Sequence, residues 1–311
     1  MNDNSPISKV KVTCATTLKG HNAAVYALSR FQKKDEFLSA GGDGWVAQWS
    51  LKDKENGKLL AKTASSNFSL NYNKQDNILA VGDILGDLHI VKLDENNEPR
   101  KISYHKKGIF GIYRLEKELL TLAGDGLLTK WDALTLAKKE SIQLSFNRIR
   151  GFAEAKNRGF LIIGSSDKNI YFIKKDGFTI QDTVKQAHLN SIFALALNDE
   201  ERILLSGGRD AELKIWSWGA EIALIKSIPA HLFTINAIRY SPDQRLFATA
   251  SRDKTIKIWD SKEFRLLKVL EAIRDKGHVN SVNDLLWLSK DRLISCSDDR
   301  TIKVWDVQII D

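Results

Sequence analysis

The chain has 311 residues, 43% of them hydrophobic and 28% charged, enough to bury a large core as two ordinary domains or as one all-β domain of repeats. Its 47 Lys and Arg against 39 Asp and Glu give a formal charge of +8, but the cations are scattered along the chain, so charge alone argues only weakly for acidic partners or nucleic acid. No apolar run approaches bilayer-spanning length, and the two cysteines, Cys14 and Cys296, are too few for a disulfide framework and lack metal-site spacing.

In chain order, the opening MNDNSPISKVK lacks the apolar segment of a secretory signal. The expectation from this is a cytoplasmic location; residues 1–9 are expected to be a flexible N-terminus ahead of a single domain over 10–311, the extent that the repeats set. A strand-like run, VKVTCATTL, occupies about 10–18. One pattern then recurs: DGWVAQWS (43–50), a degenerate LGDLHIVK (85–92), DGLLTKWD (125–132), DKNIYFIK (167–174), DAELKIWS (210–217), DKTIKIWD (253–260) and DRTIKVWD (299–306). The tryptophan slot holds Trp49, Val91, Trp131, Ile173, Trp216, Trp259 and Trp305, at intervals of 42, 40, 42, 43, 43 and 46 residues. Such a period marks a repeat architecture. Within each unit short alternating or apolar runs are separated by Gly, Asp, Asn and Lys, so about four strands fit per unit.

A histidine, a Ser or Thr, a turn Asp and a Trp recur in fixed order, with literal Trp-Asp pairs at 131–132, 259–260 and 305–306 and Gly-His pairs at 20–21 and 277–278. On these residues the chain resembles the WD-repeat β-propeller family from about residue 10 onward. The resemblance implies an all-β, seven-bladed propeller of four-stranded antiparallel blades, closed by the N-terminal strand joining the last blade. Closure removes a sheet edge that would invite aggregation. It would also place the third strand of blade seven between Cys14 and Cys296, at about 9–10 Å total separation, too far for a disulfide.

The resemblance implies a buried hydrogen-bonded tetrad in five blades: His21, Ser39, Asp43, Trp49; His105, Thr121, Asp125, Trp131; His188, Ser206, Asp210, Trp216; His231, Thr249, Asp253, Trp259; and His278, Ser295, Asp299, Trp305. Blade two has no such histidine and carries Val81, Leu85 and Val91 in the other slots; blade four carries Ile163 and Ile173 and keeps only Asp167. Losing the polar members together suits a network, because a half-satisfied one costs more than apolar packing, so both blades are expected to pack hydrophobically.

Five of the six histidines are thereby committed, and the same residues five times over argue against a Ser/His/Asp active site. His89 is left alone on a strand without a ligand-spaced companion. The Ser-x-x-Lys matches at 165 and 251 are turn sequences, and Ser251 gains no role of its own. The glycines of AGGDG (40–44) serve a turn rather than a phosphate loop. No cofactor, metal or catalytic residue is expected.

Function then falls to the face shared by the incoming loops and the turns between second and third strands. The resemblance implies contact positions three and five residues after the histidine and one before the turn Asp. Position five holds Tyr26, Phe68, Phe110, Arg150, Phe193, Asn236 and Asn283; position three is small except for Arg148; the pre-Asp slot holds Arg209 and Arg252 in blades five and six. The partner-binding candidates are thus Tyr26, Phe68, Phe110, Arg148, Arg150, Phe193, Arg209 and Arg252, of residue types that dominate protein interfaces. The bland alternative is that the aromatics plug the channel and the arginines pair with acids. The expected function is a non-enzymatic, monomeric protein-interaction scaffold binding an acidic peptide or domain; RNA or another polyanion bound through the same basic face is the alternative.

Overall fold

The computed structural model describes residues 9–53, 57–93 and 100–310. Among them the strands pair into seven four-stranded antiparallel sheets, six made of consecutive strands spanning 25–62, 67–103, 109–143, 149–184, 192–229 and 235–270. The seventh blade takes Val282–Ser289, Arg292–Ser297 and Thr301–Ile310 from the end of the chain and its outer strand, Lys9–Lys19, from the beginning. That strand pairs from Lys9 opposite Ile310 to Lys19 opposite Thr301, so the expected closure and its strand at about 10–18 are both present. The rest of the expected flexible N-terminus lies outside the described residues, and Lys9 is already in the strand.

Position within a blade decides which sequences are used. Second strands are covered on both faces and read as short apolar or small runs: every residue of Glu36–Gly41, Ile78–Asp83 and Leu246–Ser251 is buried. Inner strands alternate, as in Ile149–Ala155, with one face turned to the channel. Outer strands such as Lys138–Gln143 are mostly exposed and polar.

Among the described residues there is no single core. Buried side chains fall into separate clusters, each joining neighbouring blades: Phe37, Ala47 and Trp49 of blade one meet Ile294, Cys296 and Val304 of blade seven, while Leu120 and Leu128 of blade three meet Ile163 and Ile173 of blade four. Each blade depends on its neighbours, as in other repeat architectures. The closing strand contributes Val10 and Val12 to one cluster and Leu18 to the next. Both cysteines are free, with the third strand of blade seven between them. Among the described residues no helix is long and apolar enough to cross a membrane; the one helix, Ala272–Asp275, lies in the loop before blade seven.

Candidate functional site

Each inner strand begins with a β-bulge against its neighbour. The residue skipped by the pairing is Tyr26, Phe68, Phe110, Arg150, Phe193, Asn236 and Asn283 in blades one to seven. A bulge kinks the strand and re-aims one side chain out of the pleat. Here it turns one residue per blade into the mouth of the central channel, a cavity of about 390 Å³.

Around the mouth these side chains form two sectors. Tyr26 stacks on Phe68 at 4.4 Å between centroids, and Phe68 meets Phe110 edge-on at 5.4 Å. The Arg148 guanidinium lies 4.3 Å from the Phe110 centroid, and Arg150 bridges Phe110 and Phe193 at 5.5 and 4.6 Å. Six of the eight expected contact residues are thus one chain of ring and cation contacts. Turn glycines make room for it: a Cβ on Gly124 would stand 3.1 Å from the Phe110 ring. In the other sector, Asn236 donates to Ser281 and the Val282 carbonyl, and Asn283 donates to the Val25 carbonyl and Asp298. These asparagines lace blades six, seven and one together.

Arg209 and Arg252 stand apart on the turns of blades five and six. Their backbone N–H groups donate to the Ser191 and Thr234 carbonyls, and their side chains are exposed without an ion pair to a described acid. Burial, then repulsion by Arg148, pulls the Arg150 pKa down to about 10, with Asp284 and Tyr113 opposing; the group stays charged at neutral pH. Deeper in the channel Arg239 pairs with Asp284 at 2.9 Å, and Asp284 also accepts the Leu28 N–H. The contact-position rule missed this pair. Its signal is a charged residue in each of two otherwise largely apolar inner strands, INAIRY and VNDLLW.

The five tetrads hold the turns behind this face. In each, the Trp indole N–H and the histidine Nε2 meet on one Ser or Thr oxygen at 2.7–3.0 Å. The histidine Nδ1 faces the turn carboxylate at 2.8–2.9 Å in four blades and 3.4 Å for His105–Asp125. Since an indole N–H only donates, a neutral imidazole completes the chain in the four close blades when the hydroxyl donates to Nε2 and Nδ1–H donates to Asp. Burial holds His231 and His278 below the usual imidazole range, with their aspartates opposing.

Blades two and four differ from the expectation of purely hydrophobic packing. Leu85, in the Asp slot, is 64% exposed, while Asp83, two residues earlier, is 2% exposed. The Asp83 carboxylate accepts from Ser65, from the Leu85 and Asp87 N–H groups and from His89, at 2.6–3.0 Å. His89 is therefore not alone. In blade four the Tyr171 hydroxyl donates to Asp167 at 2.5 Å. His89 and Tyr171 occupy the same third-strand position, opposite Val81 and Ile163. Each His-less blade rebuilds a donor from the third strand, because a buried carboxylate without partners costs several kcal/mol, on the order of 3 or more. Asp83, Asp87 and His89 also form a group with metal-ligand spacing, all ligand atoms lying within 4.8 Å. Asp83 is committed to the four donors above, and Lys101 stands 3.0 Å from Asp87, so the chemistry of the group is that of a substitute tetrad.

Ser251 also has a role that the sequence did not reveal: it is fully buried, donates to the Phe233 carbonyl and accepts the Asp253 N–H. It ties the turn to the incoming loop.

Comparison with known proteins agrees with this architecture. A family model described as "WD domain, G-beta repeat" matches residues 12–50, 181–217, 222–260 and 266–306. The chain is similar to the THO complex subunit 6 homolog of Danio rerio, 25% identical over 48% of this chain and 52% of that protein. It is similar to the ribosome biogenesis protein WDR12 homolog of Trichoplax adhaerens, 24% identical over 71% of this chain and 49% of that one. The chain spans about half the length of each of these relatives. Among solved structures, the WD40 β-propeller domain of Doa1 superposes with a TM-score of 0.83 at 18% identity, over 96% of this chain and 97% of that one, which is a likeness of fold.

Proposed function

Since the chain belongs to the WD-repeat family, we propose that it is a non-enzymatic interaction scaffold that docks an acidic peptide or partner domain on the channel mouth. The observation that carries this reading is the contact chain from Tyr26 through Phe110 to Arg150 and Phe193, set in place by a bulge repeated in every blade. Half-buried rings and forked cations at a rigid rim are what a protein interface uses for anchoring. The names of the relatives, a subunit of a complex and a ribosome biogenesis protein, fit work within larger assemblies. The histidines that a hydrolase would need hold turns instead.

The test is affinity purification of the wild type beside Phe68→Ala/Phe110→Ala and Arg209→Ala/Arg252→Ala, with mass spectrometry of what is lost. Loss of the same proteins from both variants supports a docking face that runs from the mouth to the turns of blades five and six; identical partners from all three rule it out. An RNA ligand would show instead as binding that weakens steeply with salt, by about 0.7 logarithmic units per neutralised phosphate for each decade of salt.

A further inference from the structure

The residue after each tetrad histidine is held by its backbone. Asn22, Lys106, Leu189, Leu232 and Val279 donate their N–H groups to the turn carboxylate at 2.8–3.0 Å. Their side chains do no such work. Leu189, Leu232 and Val279 are 79%, 85% and 57% exposed, and Phe146, in the equivalent place in blade four, is 89% exposed. Four consecutive blades therefore carry an apolar side chain on the outer rim of this face, where blades one to three carry Asn22, Ala64 and Lys106. Phe233, 59% exposed, and Ile273, 97% exposed on the short helix before blade seven, widen the same sector. The scaffold uses only the backbone at this position, so it does not explain why it is apolar here. Exposed apolar side chains repeated on one face point to an interaction site.

The turns beside this rim are basic. Lys168, Arg209, Arg252, Lys254 and Arg300 are exposed, and none pairs with a described acid. The neighbouring Asp210, Asp253 and Asp299 face inward on their histidines, which leaves Asp298 as the acid exposed on these turns. Lys168, Lys254 and Arg300 have φ of 78°, 76° and 67°, a left-handed conformation that blades one to three assign to Gly44, Gly86 and Gly126. Side chains are kept where glycine would be less strained.

We propose that the outer rim over blades four to seven docks an acidic amphipathic segment of a partner protein. Its apolar residues would cover Phe146, Leu189, Leu232 and Val279 and its carboxylates would meet the turn cations. A second copy of this chain is a poor occupant, because its own charge is +8 and its rim is basic. The proposal rests on the reading of this face as protein-binding and extends it outward from the mouth.

The experiment places the photocrosslinker p-benzoylphenylalanine at Leu232, with Leu224 on the outer strand of blade five, 48% exposed, as the comparison position, and sequences the crosslinked peptides. The expected result is an acidic, amphipathic peptide crosslinked at Leu232 and not at Leu224, its yield reduced about tenfold or more by Leu189→Ser/Phe146→Ser with an unchanged unfolding midpoint. A basic peptide, an RNA adduct, equal yields at the two positions, or indifference to the rim variant overturns the proposal. Phe68→Ala/Phe110→Ala separates the two readings: loss with these changes but not with the rim variant leaves the mouth standing without the rim, and the reverse leaves the rim without the mouth.

Discussion

The guanidinium of Arg148 lies over the ring of Phe110, 4.3 Å from its centroid, and joins the aromatic arc of blades one to three to the cations of blade four. Both residues are in their expected slots, but the contact crosses between blades and so depends on blades three and four packing side by side. A double-mutant cycle of Phe110→Ala and Arg148→Ala, read by urea unfolding, should give a coupling of about 0.5–1 kcal/mol, the size of a cation–π contact near solvent. Additive single effects would mean that the two groups do not meet in solution.

The rebuilt turn of blade two makes a sharper prediction. Alignment puts Leu85 in the aspartate slot, yet Asp83 carries the network. Asp83→Ala removes a carboxylate that is 2% exposed and strands His89, Ser65 and two backbone donors, so it should cost about 3–5 kcal/mol in chemical denaturation. Leu85→Ser, at a side chain 64% exposed, should change stability by no more than about 0.5 kcal/mol. Equal effects would assign the turn to Leu85 after all.

That contrast shows where sequence reasoning holds and where it stops. The period and the blade count are legible because each is written several times over, and the His, Ser or Thr, Asp and Trp slots fix a register that one copy alone would not; the ring closure follows from the family resemblance and the single unassigned strand at the start of the chain. Position five was legible for the same reason, although the bulge that aims it was not. What the sequence does not disclose is not repeated in kind from blade to blade. His89 and Tyr171 replace Ala47, Thr129, Lys214, Lys257 and Lys303 at a third-strand position where the repeat sets no rule. Their role is visible only when Asp83 and Asp167 are beside them in space. The outer rim was missed because the backbone, not the side chain, is what the repeat uses there.

The tetrads tie stability to pH, in one direction. Burial lowers the His231 and His278 pKa values, with Asp253 and Asp299 opposing. Burial would raise Asp253 and Asp299, but the histidine, the Thr255 and Thr301 hydroxyls and backbone donors outweigh it and hold both well below the usual carboxylate range. Both kinds of group bind protons more readily when unfolded, so stability is lost as pH falls. The histidine contribution is complete above the unfolded value of about 6.5 and the aspartate contribution above about 4. Urea midpoints should be flat from pH 8 to 7, fall below about 6.5 and fall more steeply below about 4. In His231→Gln the decline between pH 7 and 5 should be shallower; an unchanged slope would remove His231 from the linkage.

The closing strand supports the ring at two blade boundaries at once. Lys9–Lys19 covers the whole edge of Thr301–Ile310, puts Val10 and Val12 in one buried cluster with Leu246, Ile258 and Leu285, and puts Leu18 in the next with Ile302 and Val304. Deleting residues 1–19 therefore does more than shorten a tail. It uncovers the backbone donors and acceptors of the last strand, exposes Val307 and Trp305, both buried in the intact ring, and leaves blade seven with three strands. Uncapped edges recruit other chains, so the truncated protein should show concentration-dependent association in sedimentation velocity. Adding back a synthetic peptide of residues 9–19 should suppress it, because the peptide restores the same register. A truncated chain that remains monomeric with an unchanged unfolding midpoint would show that ring closure does not depend on this strand.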